Sequence, residues 1–283
     1  MKLRAYLAMT KSLQTALLLV TAVAGYASAR CPLLTWKTLL AMIVSLFLVI
    51  SGSTVLNMVY DRDIDAVMKR TCWRPLPVGQ VTPGEALRLG VVLCVLGSVL
   101  AFAMSLLFGL VVIAGFCFDA VVYTLWLKRR TAWSIVIGGL AGGMPVLAGR
   151  TLALGRVDAI GLLLMLAVLL WIPTHIMTFS IRYAEDYRRA GVPTFPSRYG
   201  MPLTRVLISL ASVGAAVSIM IAAVGIGLSW GSMGVLGVLG FGLLALAIAN
   251  IMRPSPGLNF GLFKYASLYM LSSMLLVVAG TLW

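Results

Sequence analysis

Asn57-Met-Val-Tyr-Asp61-Arg62-Asp63-Ile-Asp65 closes an apolar run that begins near residue 38 and is long enough to span a membrane. Lys69-Arg70-Thr71 and Arg74-Pro75-Leu76-Pro77 follow closely. The spacing of Asn57, Asp61 and Asp65 puts three oxygen-bearing heads on one face of an α-helix, drifting by about 40° per step. Such a stripe is costly unless something positive joins it. It therefore reads as a hard-cation site, most simply Mg2+ held by carboxylates and shared with a phosphate. The basic residues just downstream suit the rest of a diphosphate. The plain alternative is a solvated helix end at a membrane boundary. The charge inventory argues against it. The chain has eight acidic residues; Asp61, Asp63 and Asp65 are three of them, and Glu185 and Asp186 make a second cluster.

Of the 283 residues 61% are hydrophobic and 11% charged, and the mean hydropathy is +1.04. That composition belongs to polytopic membrane proteins. The formal net charge of +14 is spread over short connections, so it reads as topology signals and contacts to anionic lipid or phosphate, with no nucleic-acid partner expected. Cys31, Cys72, Cys94 and Cys117 form no C-x-x-C pair and read as small packing residues.

Nine apolar segments recur, near 12–29, 38–57, 86–105, 109–127, 132–149, 158–181, 204–228, 231–252 and 264–282. The expected fold is an all-α membrane protein, one domain over 1–283, with nine transmembrane helices in one bundle. Ala27-Ser28-Ala29 resembles a signal-peptidase site, but the run before it is about long enough to span and counts as the first helix. The long connections after helices 2 and 6, about 58–85 and 182–203, carry the acidic clusters and form a cap. With the N-terminus inside, 18 of the 22 basic residues lie on the cytoplasmic side. The expectation is N-in, C-out, in the cell (inner) membrane, with the cap facing the cytoplasm. Gly138, Gly139, Gly142 and Gly143 in helix 5, and Gly231, Gly234, Gly237 and Gly240 in helix 8, predict close backbone approach.

Two carboxylate sets on separate helices can converge on one aqueous cap and hold a metal–diphosphate between two walls. An apolar bundle beneath suggests a lipid-like substrate such as an allylic prenyl diphosphate. Its C–O bond breaks when the departing diphosphate is neutralised, and the carbocation must be shielded from water. His175, the sole histidine, lies near the cytoplasmic end of helix 6, where Pro173 is expected to open the helix. Asp119 lies inside helix 4, where a carboxylate is expensive and needs a role or a partner.

At these residues the chain resembles the UbiA-type intramembrane prenyltransferases. The family's N-x-x-x-D-x-x-x-D pattern stands here as Asn57, Asp61 and Asp65. The stretches Asn57 to Gly79, Tyr123 to Pro145 and Trp171 to Pro196 are most similar to the protohaem-farnesylating branch. The resemblance implies a nine-helix bundle, Mg2+-dependent cleavage of a prenyl diphosphate, and transfer of a farnesyl group to a vinyl group of haem B with addition of water. It also implies roles: Asn57, Asp61, Asp65 and Asp186 catalytic, with Asp61, Asp65, Glu185 and Asp186 holding the metal. Arg70, Arg74, Lys128 and Arg129 would bind diphosphate, and His175 and Tyr123 the acceptor. Two departures matter. The second acidic motif carries Glu185 and Asp186 rather than a spaced D-x-x-x-D. The haem branch usually reads Pro-Pro-His-Phe-Trp in helix 6, where this chain has Pro173-Thr174-His175-Ile176-Met177, so the aromatic that would stack on a porphyrin is missing from this segment. Prenyl transfer to an aromatic or glycerol-phosphate acceptor is the first alternative. A cation or metabolite transporter is the second, weakened because the acids cluster at helix ends rather than at the midplane.

Overall fold

The computed structural model describes residues 2–30 and 35–282, and Cys31 lies outside them. The described residues form thirteen α-helices: α1 Lys2–Met9, α2 Ser12–Ala27, α3 Trp36–Tyr60, α4 Arg62–Val67, α5 Pro83–Met104, α6 Leu106–Phe116, α7 Ser134–Leu154, α8 Ala159–Arg182, α9 Ala184–Arg189, α10 Phe195–Tyr199, α11 Met201–Ile226, α12 Trp230–Met252 and α13 Pro256–Leu282. Helix α6 continues as a π-helix over Cys117–Leu127. Local chemistry sets the boundaries. Thr35, Asp158 and Ser229 accept backbone N–H bonds at the starts of α3, α8 and α12. Thr82 and Glu85 form a capping box ahead of Pro83.

Among the described residues eight helices, counting 106–127 as one, are long and apolar enough to cross a membrane. The count reaches nine if α1 and α2, bent by 47°, make one broken span. The spans pack in chain order from α2 through α3, α5, α6, α7, α8, α11 and α12 to α13, which returns to α2 and closes the bundle. The largest core lies where α8, α11 and α13 meet around Leu164, Met177, Ile208 and Tyr269. Outward faces are apolar, as in the Val91, Val95 and Val99 row of α5. Trp36 and Trp230 stand exposed at one rim and Trp73 and Trp126 at the other, as interfacial tryptophans do.

Four expectations need correction. Helix α1 is additional. It is held by Lys2 Nζ donating to Glu85 at 2.7 Å and by packing beside Val55 and Ala86. Helix α13 begins two turns earlier than 264, because Ser255 Oγ accepts from Leu258 N (3.1 Å) ahead of Pro256. Helix α8 runs unbroken through Pro173. The helix 8 glycines mark no close approach: a Cβ on Gly234 would meet nothing within 4 Å, and one on Gly240 only an ordinary contact at 3.6 Å. Backbone intimacy sits elsewhere, at Gly25 and Gly149 between α2 and α7 and at Gly52 and Gly90 between α3 and α5. The helix 5 glycines do lie against neighbours, with Gly138 beneath the Tyr123 ring and Gly143 against the Met165 backbone.

Candidate active site

A cavity of about 480 Å3 runs from the cap into the bundle. Its polar end is built by the stripe on α3. The helix ends at Tyr60, and Asp61 (φ −90, ψ 9) joins it to α4. The register survives the junction, since Asp61 N donates to Asn57 O (2.9 Å) and Asp65 N to Asp61 O (2.8 Å). Asn57, Asp61 and Asp65 therefore face one cavity, as their spacing predicts.

Asp61 and Asp65 are both buried. Lys128 Nζ donates to Asp61 Oδ2, and Arg74 Nη1 donates to Asp65 Oδ2 at 2.7 Å. These cations repay the desolvation of the carboxylates. Asp61 Oδ1 is buried with no hydrogen-bond donor. Lys128 reaches this place because the π-helix alters the pitch after Phe116. Lys128 N bonds Tyr123 O, five residues back, at 2.9 Å.

The second acidic segment arrives from α9. Asp186 is buried, and its Oδ2 accepts from Arg70 N at 3.4 Å. Ile64, Met68 and Val192 pack the two cap segments together, with Tyr187 against them. Arg70 lies over the Phe179 ring (5.1 Å) and donates to Tyr187 Oη (3.3 Å). Glu185 does not join this group. It is half exposed and bonded to Arg188 (2.6 Å) and Arg189 (3.1 Å) one turn along its own helix. Arg129 stands at the edge of the group, held by Asp63 (2.7 and 2.8 Å) and the Tyr60 carbonyl (2.8 Å), with its Nη2 4.0 Å from Asp61 Oδ1. The Arg129 guanidinium lowers Asp63 to about 2. Among the described residues, no three of His, Cys, Asp or Glu converge on one metal position.

Farther in, the walls are apolar and aromatic. The His175 ring is stacked between Trp171 (4.8 Å) and Phe263 (4.5 Å). Its Nδ1 is 3.0 Å from Ser267 Oγ. Ser267 donates to Phe263 O (3.0 Å), so the network assigns the proton of the pair to Nδ1 and leaves Nε2 an acceptor. Phe263 of α13 thus sets an aromatic ring against His175 from a different helix. Tyr123 also lines the cavity.

Lys11, Ser53, Asp119, Tyr187 and Phe263 line the cavity as well, and sequence reasoning had placed none of them there. Ser53 lies four residues before Asn57, so extending the stripe by one turn would have found it. Lys11 sits at the bend between α1 and α2 with φ 45, at a break marked by no Gly or Pro.

A rim of buried, cation-paired carboxylates over an apolar, aromatic chamber in a helical bundle is the arrangement of an intramembrane enzyme. The UbiA prenyltransferase family model matches residues 18–276, and the chain belongs to that family. It is thus an enzyme and an integral multi-pass membrane protein, which sets the transporter reading aside. A protoheme IX farnesyltransferase of Archaeoglobus fulgidus is 47% identical over 200 residues, covering 71% of this chain and 70% of that one. A protoheme IX farnesyltransferase of Pyrobaculum arsenaticum is 41% identical over 249 residues, covering 86% and 88%. The fold is that of a solved digeranylgeranylglyceryl phosphate synthase, with TM-score 0.82, 18% identity, and 99% and 98% of the two chains covered. It is also that of a UbiA homolog from Archaeoglobus fulgidus bound to GPP and Mg2+, with TM-score 0.72, 16% identity, and 97% and 99% covered.

Proposed function

We propose that this cavity binds farnesyl diphosphate with Mg2+ and transfers the farnesyl group to a vinyl group of haem B, giving haem O. One observation carries the reading: a single cavity joins buried, cation-paired carboxylates at the cap to an apolar chamber lined by Trp171, His175 and Phe263. The names of relatives 41–47% identical supply the acceptor.

The donor set suits Mg2+. Asp61 Oδ1 is buried without a donor, and Asn57 and Asp65 share its face. Asp61, Asp65 and Asn57 would hold the metal on one wall and Asp186 on the other, with Glu185 left out. When bound, Mg2+ supplies positive charge to the departing diphosphate. Lys128 and Arg74 would turn from the carboxylates, and Arg70 from Tyr187, toward the diphosphate oxygens, joined by Lys11. Tyr123 and the aromatic walls would shield the allylic cation from water. His175 is locked by its two stacking partners and Ser267, with Nε2 available to the acceptor. The cap would face the cytoplasm, with the N-terminus inside, in the inner membrane.

Lys128→Ala is expected to raise the donor KM by about tenfold or more while acceptor dependence holds. Initial rates against donor concentration check this, and an unchanged donor KM removes Lys128 from the diphosphate site. The acceptor is tested by offering haem B, an aromatic acid and a glycerol phosphate in parallel with farnesyl diphosphate, with products read by mass spectrometry. A farnesylated, hydrated haem is the expected product. Prenylation of another acceptor alone would transfer the reading to that acceptor, the outcome that Ile176 and Met177 favour.

A further inference from the structure

Asp61 and Asp65 each hold a cation, but a third carboxylate in the same cavity does not. Asp119, in the first turn of the π-helix, lines the chamber. Its Oδ2 accepts from Ser53 Oγ at 2.6 Å, and its carbonyl accepts from Thr124 Oγ1 at 2.8 Å. Among the described residues it makes no ion pair, whereas Asp61 pairs with Lys128 and Asp65 with Arg74. Ser53 stands two helical turns before Asp61, about 12 Å along α3. Asp119 is therefore placed beneath the diphosphate end, where the walls turn apolar.

Keeping a carboxylate there is costly, and one hydroxyl is modest compensation. The Ser53 bond fixes the side chain with one oxygen held and the other left for the cavity. Charge balance gives that oxygen a task. When an allylic C–O bond breaks, its electron pair leaves with the diphosphate. The acceptor's π pair then forms the new C–C bond, and the positive charge passes to the acceptor. A neutral product forms only if a proton is lost. At a vinyl acceptor the charge sits on the carbon beside the ring. A water oxygen supplies the pair for a C–O bond there, and the resulting oxonium must shed a proton. An aromatic ring sheds its ring proton, and an alcohol its hydroxyl proton.

We infer that Asp119, oriented by Ser53, is the proton acceptor that completes the transfer, taking the proton of the adding water or of the acceptor itself. The inference rests on the prenyl-transfer reading and not on the choice of acceptor. The proton leaves for bulk water with the products. Other cavity groups are poorer candidates. Asp61 and Asp65 are engaged by cations. His175 Nε2, the other free acceptor in the chamber, lies on a ring held in place by Trp171, Phe263 and Ser267. Full retention of adduct formation in Asp119→Asn would pass the role to it or to the diphosphate.

The test compares wild type, Asp119→Asn and Ser53→Ala with farnesyl diphosphate, Mg2+ and whichever acceptor the wild type prenylates. Size exclusion and thermal melting in detergent establish that each is folded. Asp119→Asn is nearly isosteric and keeps an acceptor for the Ser53 hydroxyl. It should lose about a hundredfold or more in kcat for adduct formation, with donor KM within about threefold of wild type. Farnesol from solvolysis should persist. Ser53→Ala should lose less, because the carboxylate remains. Adduct formation by Asp119→Asn at near wild-type kcat would overturn the inference, and His175 or the departing diphosphate would then be the base. A joint loss of adduct, farnesol and donor binding would overturn it too, showing a structural role. If wild type prenylates no acceptor, the prenyl-transfer reading itself fails, which is a separate result.

Discussion

Asp61→Asn should fold and yet lose about a thousandfold in kcat. The substitution keeps the size of the side chain and an oxygen for Lys128, so the buried ammonium still has a partner. What it removes is charge at a carboxylate with a buried oxygen that has no hydrogen-bond donor. Replacement by Ala is the cruder experiment. It strands the Lys128 ammonium beside a buried pocket, and breaking such a pair costs about 3–5 kcal/mol. The Asn variant separates chemistry from folding. Its melting point should stay close to that of wild type while adduct formation collapses. An Asn variant with a tenth or more of wild-type turnover would show that the α3 stripe is not the metal-holding wall.

Gly149→Val should leave little folded protein. A Cβ at Gly149 would fall 3.0 Å from the Ala22 carbonyl carbon and from Tyr26 N, and closer still to the Ala22 oxygen. The obstacle is backbone, which cannot rotate aside. Gly25 faces the reciprocal obstacle in the Val146 carbonyl, so α2 and α7 would have to separate along the whole contact. That contact carries the buried bond from Arg150 Nη1 to Ser28 Oγ (2.8 Å) and supports the wall that presents Lys11 to the cavity. Ordinary overpacking costs about 1–3 kcal/mol, and this case should exceed that range. The control is Gly234→Val, where the added carbon meets nothing within 4 Å. Size exclusion after detergent extraction checks both. A monodisperse Gly149→Val protein with a wild-type melting point would contradict the close packing of α2 on α7.

The contrast between those glycines shows what a sequence can convey. Spacing reports that one face of a helix is small, but not which neighbour lies against it. Helix α12 is peripheral, so its stripe had no close partner to meet. The carboxylate stripe was legible for the opposite reason. Asn57, Asp61 and Asp65 share a face through local geometry alone, and the i→i−4 bonds carry that register across the α3–α4 junction. The second cluster was legible as a location but not residue by residue. Asp186 turns inward to Arg70, whereas Glu185 is captured by Arg188 and Arg189 on its own helix. The π-helix left no periodic signal, yet it decides where Tyr123 and Lys128 stand. The stacking of Phe263 on His175 joins residues 88 positions apart, and only packing reveals it.

The most direct test of prenyl transfer is a single-turnover measurement of stoichiometry. Purified protein, farnesyl diphosphate and acceptor are mixed with Mg2+ or with a chelator, and released diphosphate and prenyl adduct are counted together. The account predicts one diphosphate per adduct with Mg2+ and neither product with the chelator. Diphosphate release without any adduct, or equal adduct formation with the chelator, would contradict it.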